Sequence, residues 1–109
     1  MNKHKDEEED QYIRVRRPDK RKNEMYAIIE SVYKGSRMKV IGEDGTARIA
    51  RIPGSKRRGM GRIRRGDLVI IVPWNIQPEE KADIIWRYWE NQAQFLSRKG
   101  LLPDQVDIF

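Results

Sequence analysis

One histidine, no cysteine and a scatter of carboxylates are all that this 109-residue chain offers for acid–base, nucleophilic or metal chemistry. His4 lies beside the acidic run Asp6-Glu7-Glu8-Glu9-Asp10, in a stretch with almost no apolar residues to hold an imidazole in place. A positioned general base, or a Ser–His or Cys–His pair, therefore has no candidate. Thiolate zinc sites and disulfides are excluded outright. The carboxylates further along, Glu30, Glu43, Asp44, Asp67 and Asp83, fall mostly at expected turns and give no sign of converging. Glycines are frequent between Gly54 and Gly66, but not in the GxxxxGK[ST] order of a phosphate loop. The acidic run reads as solvated charge rather than a divalent-ion trap. Neither an enzyme nor a cofactor nor a metal is expected.

The arginines and lysines carry the positive signal. The chain has a formal charge of +6, and its excess is confined to residues 34–66, which hold 11 basic and 2 acidic groups. Residues 1–24 are nearly balanced, and residues 67–109 are net acidic. An ordinary soluble surface mixes signs; this segment does not. Arg37 and Lys39 fall on one face of an expected strand, and Arg48 and Arg51 on its hairpin neighbour. Lys56-Arg57-Arg58 and Arg62-Ile63-Arg64-Arg65 crowd the connection that follows. A guanidinium binds phosphate bidentately and stacks on bases, so an arginine-rich segment fits RNA. Gly54, Gly59, Gly61 and Gly66 would let that connection come close to a nucleic-acid backbone. Trp74, at a strand end beside Asn75, suits either base stacking or packing. Trp86 alternates with Ile84 and Tyr88 and reads as core, while Trp89 shares the other face with Arg87.

Short strands must position these groups. Residues 1–24 place Tyr12, Ile13 and Val15 among charges and Pro18, the composition of a flexible tail. From Met25 the pattern gives strands over Met25 to Tyr33, Arg37 to Ile41, Thr46 to Ile52, Asp67 to Pro73 and Asp83 to Trp89. Asp44-Gly45 supplies hairpin turn chemistry, and a slip of alternation between Ile49 and Ile52 marks a bulge or a strand end. Glu90 to Lys99 reads as a helix with Ala93, Phe95 and Leu96 as its stripe, Gly100 as its left-handed stop and Pro103 beyond. Five short strands with closely spaced turns predict a mainly β fold, a Greek-key OB barrel over 25–89, with residues 90–109 packed on it as a C-terminal helix and tail. The longest apolar run, Leu68 to Val72, is far short of the ~20 residues of a membrane span, and no apolar stretch follows Met1. A cytoplasmic monomer is expected. RNA is favoured over duplex DNA because no recognition helix carries the charge.

Arg51-Ile52-Pro53-Gly54, the basic residues after it and Arg65-Gly66-Asp67 resemble the translation initiation factor 1A family of archaea and eukaryotes, and more distantly bacterial initiation factor 1. Gly42-Glu43-Asp44-Gly45, Val72-Pro73-Trp74, Lys81 to Tyr88 and Leu96-Ser97-Arg98-Lys99-Gly100 extend the likeness to about Met25–Pro103, in an archaeal style. The resemblance implies an OB barrel with an appended helix that binds ribosomal RNA at the decoding (A) site of the small subunit. There it would block premature aminoacyl-tRNA entry and support initiator tRNA placement and start-codon selection beside other initiation factors, without catalysis. The family's RNA-contacting positions fall here on Arg37, Lys39, Arg51, Lys56, Arg57 and Arg58, with Arg62, Arg64 and Arg65 adjoining. Two departures stand out. Ser55 follows Ile-Pro-Gly where the family has Lys, and Arg62 precedes Ile63 where an aromatic is common, in a loop about one residue longer. The long acidic tail of eukaryotic members is missing. Val106-Asp107-Ile108-Phe109 is similar to the end that docks on the subunit-joining GTPase, although a frayed terminus fits so short a segment better. Two other classes stay open: a general single-strand RNA binder of the cold-shock or S1 type, and a structural ribosomal protein or RNA-processing enzyme.

Overall fold

Two unbroken apolar runs, Tyr26 to Ile29 and Leu68 to Ile71, need cover on both faces of their strands, and the fold supplies it. In the computed structural model, which describes residues 15–34 and 36–109, five strands form a closed barrel. They are β1 (Met25–Val32), β2 (Arg37–Gly42), β3 (Ala47–Arg51), β4 (Leu68–Pro73) and β5 (Lys81–Arg87), in the order β1-β2-β3-β5-β4 with β4 returning to β1. Neighbours are antiparallel except β3 and β5, which run parallel with Ile49 opposite Lys81. This is the expected OB barrel, and closure leaves no free sheet edge.

Alternate residues of β1 and β4 point into two separate cores. Ala27, Ile29, Val69 and Ile71 face the barrel interior with Val40 and Ile84. Tyr26, Ile28, Leu68 and Ile70 face outward, under the helix α1 (Glu90–Arg98) and its Ala93, Phe95 and Leu96. α1 starts with the Gln92 carboxamide accepting from the Trp89 N–H at 2.9 Å. It ends in a Schellman motif: Leu101 N–H reaches the Leu96 carbonyl, Gly100 N–H the Ser97 carbonyl, and Gly100 takes φ +69°.

Several sequence expectations need correction. Residues 15–24 are not tail: Val15 lies in the outer core, and Asp19 caps a 3-10 turn at Lys20–Lys22. Glu24 is buried, its carboxylate taking the Asp19 N–H at 3.0 Å and facing the Arg16 guanidinium at 3.3 Å. The Tyr88 hydroxyl donates to the Arg16 carbonyl. Burial, and secondarily the neighbouring Tyr26, push the Tyr88 phenol well above the usual tyrosine value, so it stays a donor. Charged residues disguise this strap, because three anchors suffice to hold it. His4 and the acidic run lie outside the described residues.

Trp86 is not core. A bulge sets Ile71 opposite Ile84 but Ile70 opposite Trp86, leaving Ile85 as the extra residue. That one-residue slip turns Trp86 onto the outer face, where it is 40% exposed. β5 accordingly ends at Arg87, earlier than expected, as Tyr88 and Trp89 turn into α1. β3 stops at Arg51 with no register shift against β2, so the slip near Ile52 was a strand end. The C-terminal segment is only partly free: Val106 is fully buried, and Asp107 accepts from the Ser97 hydroxyl at 2.6 Å.

Candidate nucleic-acid interface

Pairing between β2 and β3 places Arg37 directly opposite Arg51, and Lys39 opposite Ile49, on the outer face. Like charges opposite one another destabilise a sheet unless an anion lies between them. Arg51 has partial relief, its Nε 3.5 Å from Asp83 Oδ1, and Lys39 lies 3.5 Å from Glu30. Arg37 has no ion-pair partner among the described residues.

Arg51 also covers one face of the Trp74 ring, its guanidinium carbon 5.0 Å from the ring centroid. The Trp74 indole N–H donates to the same Asp83 oxygen at 2.9 Å. Trp74 is thus half-buried and fixed, and acts as a platform that orients Arg51. Asp83 is the residue that sequence reasoning missed here. It is parallel-paired with Arg51, a register that no local pattern reveals.

The connection from β3 to β4 projects beside this face. Met60 and Ile63 plug the barrel interior, and the left-handed residues Gly59 (φ +78°) and Gly61 (φ +71°) flank Met60. A Cβ at Gly61 would come within 2.8 Å of an Arg87 nitrogen. Both glycines thus have a role in the fold of the loop, Gly59 through its left-handed φ and Gly61 also through its close approach to Arg87, while Gly54 has an ordinary φ. Asp67 closes the far end, accepting the Arg64 N–H at 2.8 Å and facing Arg87 at 3.6 Å. With its apolar residues inserted, the loop turns Lys56, Arg57, Arg58, Arg62, Arg64 and Arg65 outward, all exposed. None of the six side chains has an ion-pair partner among the described residues.

Arg48 leaves the set. Strand alternation turns it inward with Ala50, and it is only 6% exposed. Its guanidinium grips the Asp44 carboxylate and the Pro78 carbonyl, so it is engaged in holding the β2–β3 turn rather than presented on the outer face. Sequence alternation alone could not tell which face of β3 was interior, because each face carries an arginine beside apolar residues: Arg48 with Ala50 on one, Arg51 with Ala47 and Ile49 on the other.

No group of three or more His, Cys, Asp or Glu among the described residues is placed to hold a metal ion. Nor is any described helix long and apolar enough to cross a membrane.

Residues 12–108 match the family model described as translation initiation factor 1A / IF-1. The chain belongs to that family. It is 50% identical over 103 residues to translation initiation factor 1A of Thermoplasma volcanium, covering 94% of this chain and 82% of that protein. Against the Thermoplasma acidophilum factor the identity is 49% over 104 residues, covering 95% and 86%. Against that of Archaeoglobus fulgidus it is 48% over 94 residues, covering 86% and 95%. Membership in that family gives the chain a role in translation initiation. The basic residues at 37, 39, 51 and 56–58, named by family resemblance, lie on the cationic outer face or its adjoining loop.

Proposed function

We propose that the chain is a non-enzymatic translation initiation factor that binds ribosomal RNA at the decoding (A) site of the small subunit. There it blocks premature aminoacyl-tRNA entry and supports initiator tRNA placement and start-codon selection, alongside other initiation factors. Arg37, Lys39, Arg51, Lys56, Arg57 and Arg58 contact RNA, with Arg62, Arg64 and Arg65 around them and Trp74 supporting Arg51. The observation that carries this reading is the cross-strand pair of Arg37 and Arg51 beside six cations that have no ion-pair partner among the described residues. An array of that kind is held apart by repulsion until a polyanion neutralises it.

The test is small-subunit binding as a function of salt. With about five phosphates neutralised, the log–log slope should be about −3.5. The double variant Arg57→Glu/Arg58→Glu should lose several kcal/mol, on a scale of ~1.5–3 kcal/mol per charged hydrogen bond. Unchanged affinity of the folded double variant would refute the assignment. Tight binding to unstructured RNA without subunits would favour a general single-strand binder instead.

A further inference from the structure

On the side of the barrel where β5 ends, a cleft of about 400 Å³ opens between the 54–66 connection and the start of the residue 15–24 strap. Arg16, Lys56, Arg58 and Arg87 line it around the indoles of Trp86 and Trp89, and no carboxylate is among its lining residues. Arg16 is tied to Glu24 and Arg87 to Asp67, whereas Lys56 and Arg58 have no ion-pair partner among the described residues. Trp86 is 40% exposed and Trp89 59%, an apolar surface that a soluble domain seldom leaves bare. The cleft thus sets cations beside rings and lacks an anion.

The chain itself carries that anion at short range. Arg16 is on the cleft wall, and the residues before Val15 read Asp6-Glu7-Glu8-Glu9-Asp10-Gln11-Tyr12-Ile13-Arg14. Five consecutive carboxylates are therefore followed by two apolar side chains, Tyr12 and Ile13, just ahead of the strap. At ~3.4 Å per residue, the chain from Val15 back to Asp10 reaches at most about 17 Å, and back to Asp6 about 31 Å. Lys56 and Arg58 share one cleft with Arg16, so both lie within that reach. Val15 is anchored in the outer core, and a short tether gives what it carries an effective concentration on the order of millimolar. Composition alone reads the acidic run as solvated charge; its point of attachment gives it a cationic neighbour. Single exposed ion pairs are weak, but here several would form along one tethered segment.

We propose that this cleft seats the chain's own N-terminal segment, with the carboxylates of residues 6–10 at Lys56 and Arg58 and with Tyr12 and Ile13 over the exposed indoles. The seated segment is an intramolecular cover on one flank of the cationic surface. It holds Lys56 and Arg58 with carboxylates, so an RNA must displace it to gain them. A polyanion that makes few contacts does this poorly. A surface that engages the whole array, Arg37 and Arg51 included, gains enough to open the cover, which makes the cover a filter against casual RNA. That competition rests on the reading of the chain as an RNA-binding factor; the docking of the segment does not.

The chain has no cysteine, so a nitroxide attached to Glu8→Cys reports on one place in the full chain. At low salt it should broaden the NMR signals of Lys56, Arg58 and the Trp86 and Trp89 indole N–H groups, and spare Ile76, beyond the other end of β5. Salt at about 1 M, where the Debye length falls to about 3 Å, should remove the broadening, and so should Lys56→Ala/Arg58→Ala. Neutralising the run with Asp6→Asn, Glu7→Gln, Glu8→Gln, Glu9→Gln and Asp10→Asn should tighten hexauridine binding about tenfold at low salt. That is the gain when the cover is closed about ten times as often as open, and it should vanish at high salt. Broadening that is absent, or spread evenly over the barrel, overturns the proposal. So does broadening passed to an isotope-labelled copy without the nitroxide, which would make the occupant a second molecule. Unchanged hexauridine affinity in the neutralised variant overturns the cover. Failure of the RNA-binding reading looks different: the broadening at the cleft persists, while neither parent nor neutralised variant binds hexauridine or small subunits.

Discussion

Arg48 meets Asp44 with two parallel hydrogen bonds, Nη2 to Oδ2 at 2.7 Å and Nη1 to Oδ1 at 3.0 Å, across the turn that joins β2 to β3. The same carboxylate accepts the Thr46 N–H at 3.1 Å, and Gly45 completes the turn at φ +78°. A residue that the sequence places with the RNA contacts is therefore spent on holding the hairpin that presents Arg37 and Arg51.

Acid should loosen this hairpin. The hydrogen bonds from Arg48 hold the Asp44 carboxyl below the usual carboxylate value. A depressed folded-state value contributes stability above the unfolded-state pKa and loses it as pH falls through the folded one. Asp44→Asn should cost about 2–3 kcal/mol at neutral pH, because the buried Arg48 then keeps the Pro78 carbonyl without a counter-charge. Urea unfolding at pH 7 and at pH 3 checks this. The gap between parent and variant should narrow at pH 3, and an equal gap at both would contradict the ion-pair account.

Two glycines in the basic loop should behave oppositely. Gly61→Ala forces a Cβ into a left-handed residue, at about 1–2 kcal/mol, and presses it toward Arg87. Gly54→Ala meets nothing within 4 Å at an ordinary φ and should be close to neutral. Thermal melts of the pair distinguish a loop shaped by its fold from one merely kept flexible, in which case both would be neutral.

Val15→Asp tests the strap. It would place an unpaired carboxylate in the outer core that includes Tyr26 and Phe95, and should lower Tm by several degrees. A melt within a degree of the parent would mean that residues 15–24 do not hold the barrel.

What could be read from the residues alone was set by local pattern. Alternation in β2, the Asp44-Gly45 turn and the Gly100 stop each depend on neighbours in sequence, and each lies where expected. Trp86 failed because a single bulge at Ile85 inverts the phase of β5, and a bulge leaves no trace in side-chain type. Arg48 failed because interior and exterior of β3 are decided by which partner strands close the barrel. Met60 and Ile63 fill the barrel interior from the basic loop, a role that needs no periodicity and so leaves no pattern to read. The site suffered similarly: the charges of the loop were legible, but the Asp83 support beneath Arg51 and Trp74 arises only from the parallel β3–β5 pairing.

Chemical footprinting of small-subunit RNA, with and without the protein at near-physiological salt, tests the central claim most directly. Protection confined to the decoding site, lost with Arg57→Glu/Arg58→Glu, is the expected result. Diffuse protection, or none, together with binding to any single-stranded RNA, would contradict it.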